Sequence, residues 1–168
     1  MKDMARRRIA LAFTERDPGA SFQWVPGDNP DLACSQDEAV DVVLIDNIHC
    51  WDPLKKSVNL RAIKRMLRAG GLLRVSTPNL DAAVHAYLLD WGGSRTDSRA
   101  AYFNEWWRTT KAQFLFNEEE LRRVFMEAGF VDLQSFVGGA SSDPLFWDAG
   151  DVDNMLLVLE ARKPRMSV

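Results

Sequence analysis

Apolar positions along the 168-residue chain fall into short blocks whose spacing alternates between strand-like and helix-like. Val40–Ile45 (VDVVLI) is a nearly continuous apolar run with one acid, the pattern of a strand buried on both faces of a parallel sheet. From Leu54 to Arg68 the pattern turns helical. Leu60, Ile63, Met66 and Leu67 form one stripe, and Lys55, Lys56, Arg61, Lys64, Arg65 and Arg68 lie on the opposite, solvent side. Gly70-Gly71 closes that helix, and Leu72–Val75 is a short strand stopped by Ser76-Thr77-Pro78. Asp81–Trp91 reads as a helix with Val84, Leu88 and Trp91 inward. Asn117 is an N-cap with Glu120 three residues on, as in a capping box, and Leu121, Val124, Phe125 and Ala128 are the buried stripe of the helix it opens. Phe130–Val137 and Met155–Ala161 are the closing strands. Near the start, Ser21–Val25 is strand-like, while residues 5–13 fit a strand or a helix end equally well.

Strands alternating with helices imply an α/β fold with a mostly parallel sheet covered on both faces, and the last two strands suit an antiparallel C-terminal edge. Ligands in such sheets bind beyond the carboxyl ends of the strands. The places to look are therefore Gly27-Asp28-Asn29, Asp46 to Asp52 and Ser76 to Asp81. Residues 92–116 carry Tyr102, Phe103, Trp106, Trp107, Phe114 and Phe116 in a polar stretch. Such a segment serves as a lid over a substrate or as core and interface surface.

Composition narrows the function classes. Apolar residues make up 46% and charged residues 27%, which fits a globular chain long enough to form one domain over residues 1–168. With 21 Lys and Arg against 24 Asp and Glu, the net charge of -3 argues against a dedicated nucleic-acid binder. Cys34 and Cys50 form neither a disulfide framework nor a four-cysteine metal site. No apolar stretch approaches a membrane span, and the basic N-terminus lacks the apolar run of a signal peptide, so a cytoplasmic protein without membrane or metal is expected.

Several motifs together resemble the second half of a class I S-adenosylmethionine-dependent methyltransferase. DVVLIDNIHCW is followed by a helix and then by Arg65-Met66-Leu67-Arg68-Ala69-Gly70-Gly71-Leu72-Leu73-Arg74-Val75-Ser76-Thr77-Pro78, similar to a family pattern of the form R-x-L-x-x-G-G-x-L-x-x-S-x-P. Phe116–Phe136, with Ala128-Gly129-Phe130 at its junction, resembles the family's next helix and strand, and MLLVLEARKP its closing strand. PGASFQWVPGD resembles the strand whose acid contacts the adenine ring, with Gly27-Asp28 in that place. The resemblance covers about residues 18–164 and implies a Rossmann-like three-layer domain, shortened at its N-terminus relative to the family. It also implies S-adenosylmethionine as cofactor and methyl transfer to a small-molecule acceptor. The family's G-x-G-x-G cofactor loop is not found, so the alternative is a non-catalytic binding or partner protein that kept the scaffold.

On this reading Asp28, Asn29, Asp46 and Asn47 are candidate cofactor ligands; Asp28 and Asp46 also suit simple turns. His49 is a candidate general base beside Asp46, or a hydrogen-bonded loop histidine. Trp51, Tyr102, Trp106 and Trp107 are candidate substrate contacts. A shortened sheet exposes an edge, so a homodimer through the N-terminal strand or the aromatic segment, or a complementing partner chain, is expected.

Overall fold

In a computed structural model of the chain, the apolar blocks become β1 (Arg8–Ala12), β2 (Gln23–Pro26), β3 (Val40–Asp46), α1 (Lys56–Met66), β4 (Leu67–Pro78), α2 (Leu80–Leu88), α3 (Arg99–Thr110), α4 (Glu118–Glu127), β5 (Val131–Phe136) and β6 (Leu156–Arg162). The structure describes residues 8–12, 23–26, 37–46, 48–89, 98–136, 140–142 and 155–165, with only the backbone given for the first two stretches. Asp28, Asn29 and Asn47 lie outside these residues, as do Cys34 and Trp91.

The strands form one sheet in the order β2-β1-β3-β4-β6-β5. The Rossmann-like α/β class and the antiparallel C-terminal pair follow the sequence pattern. The parallel part is narrower than that pattern suggests. β3 and β4 pair in parallel, whereas β1 is antiparallel to both β2 and β3, and β6 is antiparallel to both β4 and β5. The physical reason is connectivity. Parallel neighbours need a crossover, and α1 between β3 and β4 supplies one. β6 instead inserts between β4 and β5, so those two strands point the same way without touching.

The core lies on one face of this sheet. Val43, Ile45, Leu73, Val75, Leu159 and Ala161 alternate inward and meet Leu60, Ile63 and Met66 of α1 and Leu121, Val124 and Phe125 of α4. The stripes read in α1 and α4 are therefore the buried ones. On the opposite face Arg74 and Glu160, cross-strand partners, form a fully buried ion pair at 2.8 Å. Ala140 O accepts from Arg74 Nη1, and Ser142 N donates to Glu160, so each charge has a hydrogen bond besides the ion pair.

Three local expectations change. α1 ends at Met66, and Gly70-Gly71 sits inside the irregular start of β4 rather than closing the helix. Gly70 has a positive φ of 78°, and a β-carbon on Gly71 would come within 2.9 Å of Arg68 O and 3.0 Å of Asp41 O. In α2 the inward residue is Ala83, while Val84 and Leu88 face solvent. The polar-aromatic stretch contains α3, opened by the Ser98 hydroxyl accepting from Ala101 N.

β5 is the outer strand and is kinked. Its register with β6 shifts between Val131 and Gln134, and Asp132 adopts a positive φ of 53°. Arg122 of α4 donates to Leu133 O at 3.0 Å and to Ser135 Oγ at 2.9 Å.

Candidate functional site

The carboxyl ends of β3 and β4 meet in parallel register, with Asp46 opposite Ser76. The Ser76 hydroxyl donates to Asp46 Oδ1 at 3.3 Å, which fixes the carboxylate at the mouth of the sheet. Asp46 is half-buried, so it has access to both protein and solvent partners. On its other side β1 runs antiparallel, and Arg8 stands opposite Asp46 in the ladder. The sheet mouth beside β3 is therefore flanked by the amino end of a strand.

A short 3-10 turn, Ile48–Cys50, follows Asp46, and all three of its residues are buried. His49 is 1% exposed, and its Nε2 donates to Thr110 O at 3.2 Å. The carbonyl can only accept, so the hydrogen bond assigns the proton to Nε2 and leaves the lone pair on Nδ1. Burial lowers the pKa of His49 to about 4, with the Thr110 contact opposing the shift. Through Nε2 the imidazole holds the end of α3 at Thr110. The same turn holds the following segment. His49 O accepts from Gln113 N and Phe114 N, and Cys50 O accepts from Gln113 Nε2 at 3.0 Å.

Two buried polar atoms near these strand ends, His49 Nδ1 and Thr77 Oγ1, have no hydrogen-bond partner among the described residues. Such atoms normally find one, in protein or in a small molecule. Asp52, also on this loop, accepts from Leu54 N at 2.9 Å and makes a local turn. Trp51 is 1% exposed and belongs to the core cluster. Tyr102, Trp106 and Trp107 lie on α3, the first two half-buried and Trp107 exposed. Phe103 stacks between Tyr87 of α2 and Trp106, with centroids 5.7 and 5.6 Å away, which ties α3 to α2.

The structure sets Asp46 beside Ser76 at the strand ends, with His49 on the turn that follows, and buries Trp51, which the sequence reading makes a substrate contact, in the core cluster. The sequence does not reveal Thr110 and Gln113, whose roles depend on contacts with residues about sixty positions away. No group of His, Cys, Asp and Glu among the described residues is arranged to hold a metal ion, and no helix among them is long and apolar enough to cross a membrane.

No protein-family model and no curated protein matches the chain. Solved structures do. A SAM-dependent methyltransferase from Archaeoglobus fulgidus superposes with a TM-score of 0.53 at 13% identity, over 83% of this chain and 66% of that one. Two weaker likenesses are a phosphoethanolamine N-methyltransferase from Haemonchus contortus, at 13% identity, TM-score 0.48, 77% of this chain and 35% of that one, and the 1,6-didemethyltoxoflavin-N1-methyltransferase of Burkholderia thailandensis, at 19% identity, TM-score 0.44, 77% and 46%. The chain spans between 35% and 66% of the length of these proteins. The first likeness shows the α/β fold shared with that methyltransferase.

Asp46 and Ser76 offer an acid and a hydroxyl at the strand ends. A glycine-rich turn must follow the carboxyl end of a strand, and the antiparallel β1 presents its amino end at that level. Among the described residues the sheet mouth therefore offers an acid and a hydroxyl and no glycine-rich turn.

Proposed function

We propose that the chain is a methyltransferase-like protein that takes a small polar molecule at the carboxyl ends of β3 and β4, with methyl transfer to a small-molecule acceptor as its reaction class. The observation that carries this reading is the fixed carboxylate of Asp46, hydrogen-bonded by Ser76 at the mouth of a methyltransferase-like sheet. In this role Asp46 accepts a hydrogen bond from an N–H or O–H of the ligand, and Ser76 holds it in orientation. Asp28, Asn29 and Asn47 are the further polar contacts the reading assigns, and Tyr102, Trp106 and Trp107 supply an apolar wall from α3. His49 acts through position, by anchoring the end of α3 at Thr110. A complementing partner chain supplies the glycine turn, or two copies of the chain pair through the N-terminal strand or the aromatic segment, and the protein is a cytoplasmic one.

The test is calorimetric titration of S-adenosylmethionine and S-adenosylhomocysteine into the purified protein. Micromolar binding, about 8 kcal/mol, that weakens at least tenfold in Asp46→Ala supports the reading. The absence of both heat and thermal stabilisation at millimolar ligand would overturn it for the chain alone. That outcome would favour the non-catalytic partner reading, for which the antiparallel strand beside Asp46 is the supporting observation.

A further inference from the structure

The sheet face opposite the core carries charge where it could carry hydrocarbon. Side chains alternate along a strand. With Ile45, Leu73, Val75, Leu157 and Leu159 turned to the core, Asp46, Arg74, Ser76 and Glu160 share the other face. The ladder sets them in two neighbouring rows. Asp46 lies opposite Ser76, and one row deeper Leu44, Arg74, Glu160 and Gln134 stand side by side across four strands. The rows are about 7 Å apart. The carboxylate of Glu160 is full. Its Oε1 accepts from Arg74 Nη1 and Ser141 Oγ, and its Oε2 accepts from the backbone N and the Oγ of Ser142. Four donors use the lone pairs a carboxylate has. Arg74 Nη1 also donates to Ala140 O at 2.9 Å. Apart from the ion pair itself, these bonds all go to residues 140–142, a surface segment whose small side chains offer nothing large to bury.

The connection between β5 and β6 leaves the sheet after Phe136, opposite Val158, and returns at Leu156, opposite Pro78. Both points are level with the carboxyl end of β4, where Ser76 holds Asp46. Residues 140–142 therefore fold back from that end onto the row beneath Asp46. We propose that this segment is a wall of the crevice at Asp46, and that Arg74 and Glu160 are positioning residues that hold the wall in place. The inference rests on the reading of that crevice as the ligand site. An apolar pair of similar volume would serve the sheet as well as the ion pair or better. What the charges supply is reach, because they grip a segment 66 positions from Arg74 and 18 from Glu160. A ligand at Asp46 then meets a preset surface instead of ordering one, which lowers the entropy cost of binding.

The experiment compares the natural chain with Arg74→Met combined with Glu160→Leu, by amide hydrogen exchange and by calorimetric titration of S-adenosylhomocysteine. The sheet should survive, with the strand amides of β4 and β6 as protected as before. The Ser142 amide should exchange roughly tenfold faster, and the ligand should bind roughly fivefold more weakly. Ser141→Ala combined with Ser142→Ala leaves the ion pair intact and should give both changes at smaller amplitude. Unchanged exchange at the Ser142 amide in either variant would overturn the proposal. So would a rise shared equally by β4 and β6, the mark of a pair that holds the sheet and not the segment. Full affinity in a variant whose Ser142 amide has been released would overturn the wall. If the natural chain itself binds nothing, the reading of the crevice fails and the wall falls with it, while the exchange rates still decide whether Arg74 and Glu160 hold the segment.

Discussion

Two helix pairs in this molecule are built on opposite terms. α1 and α4 each bury a stripe of large apolar residues against the sheet, Leu60, Ile63 and Met66 from one and Leu121, Val124 and Phe125 from the other. α2 and α3 bury one small residue each, Ala83 and Thr110, and hold to one another through Tyr87, Phe103 and Trp106. The first pair secures the sheet whose strand ends carry the site. The second pair spends its apolar groups on an outer surface, with Leu88 and Leu89 more than 60% exposed and Trp107 at 38%. Stability and adaptability are thus divided between regions, as expected where a rigid scaffold carries a surface free to change.

The sharpest test of that division is a pair of truncations. Phe125→Ala removes a fully buried ring and should cost about 3–5 kcal/mol in urea unfolding. Phe103→Ala, in the half-buried ring stack, should cost under about 1 kcal/mol. Equal costs would break the comparison.

Acid should act next in size, through the clamp joining the two regions. The folded pKa of His49 is about 4 and its ordinary value is 6.5, so the unfolded chain binds the proton first as pH falls. The contribution is complete above pH 6.5, declines through the window down to about pH 4, and is about 3 kcal/mol. His49→Gln should flatten that part of the stability-pH curve measured by denaturant midpoints.

Caps give a smaller effect. The Asn117 side chain accepts from Glu120 N at 3.0 Å at the start of α4, and Asn117→Ala should lower global stability by about 1 kcal/mol. Ser98→Ala at the start of α3 removes the same kind of bond. It should raise amide exchange within α3 while leaving the global midpoint nearly unchanged. The smallest effect belongs to Leu88→Ala, within about 0.5 kcal/mol by thermal unfolding, because the side chain is 63% exposed.

How far the sequence can be read follows the same division. The run at Val40–Ile45 and the stripe from Leu121 to Ala128 carry their environment in their own spacing, so strand, helix and buried face are all legible there. α3 is hidden because its aromatic residues contact α2 and solvent rather than a core, and the neighbouring Gly92-Gly93 and Ser94 read as loop. The direction of β1 is not written in five residues; it depends on which strand receives it. At the site, the place of Asp46 is legible as a strand end. The burial of His49, which lowers its pKa, is not, because it comes with packing against the segment that ends α3. Lys56, on the solvent side of α1 by its spacing, is buried for a similar reason: its Nζ lies over the rings of Phe114 and Phe116, 58 and 60 positions downstream.

The kink in β5 has a consequence for how copies of the chain can meet. A straight outer strand is a template on which another chain can polymerise. Here the register shift and the turned-out Asp132 break the template, and the guanidinium of Arg122 already occupies the carbonyl of Leu133. Fibre growth by strand addition is blocked at this margin. Among the described residues the sheet's other margin is β2, and the apolar surface left outside the core is that of α2 and α3.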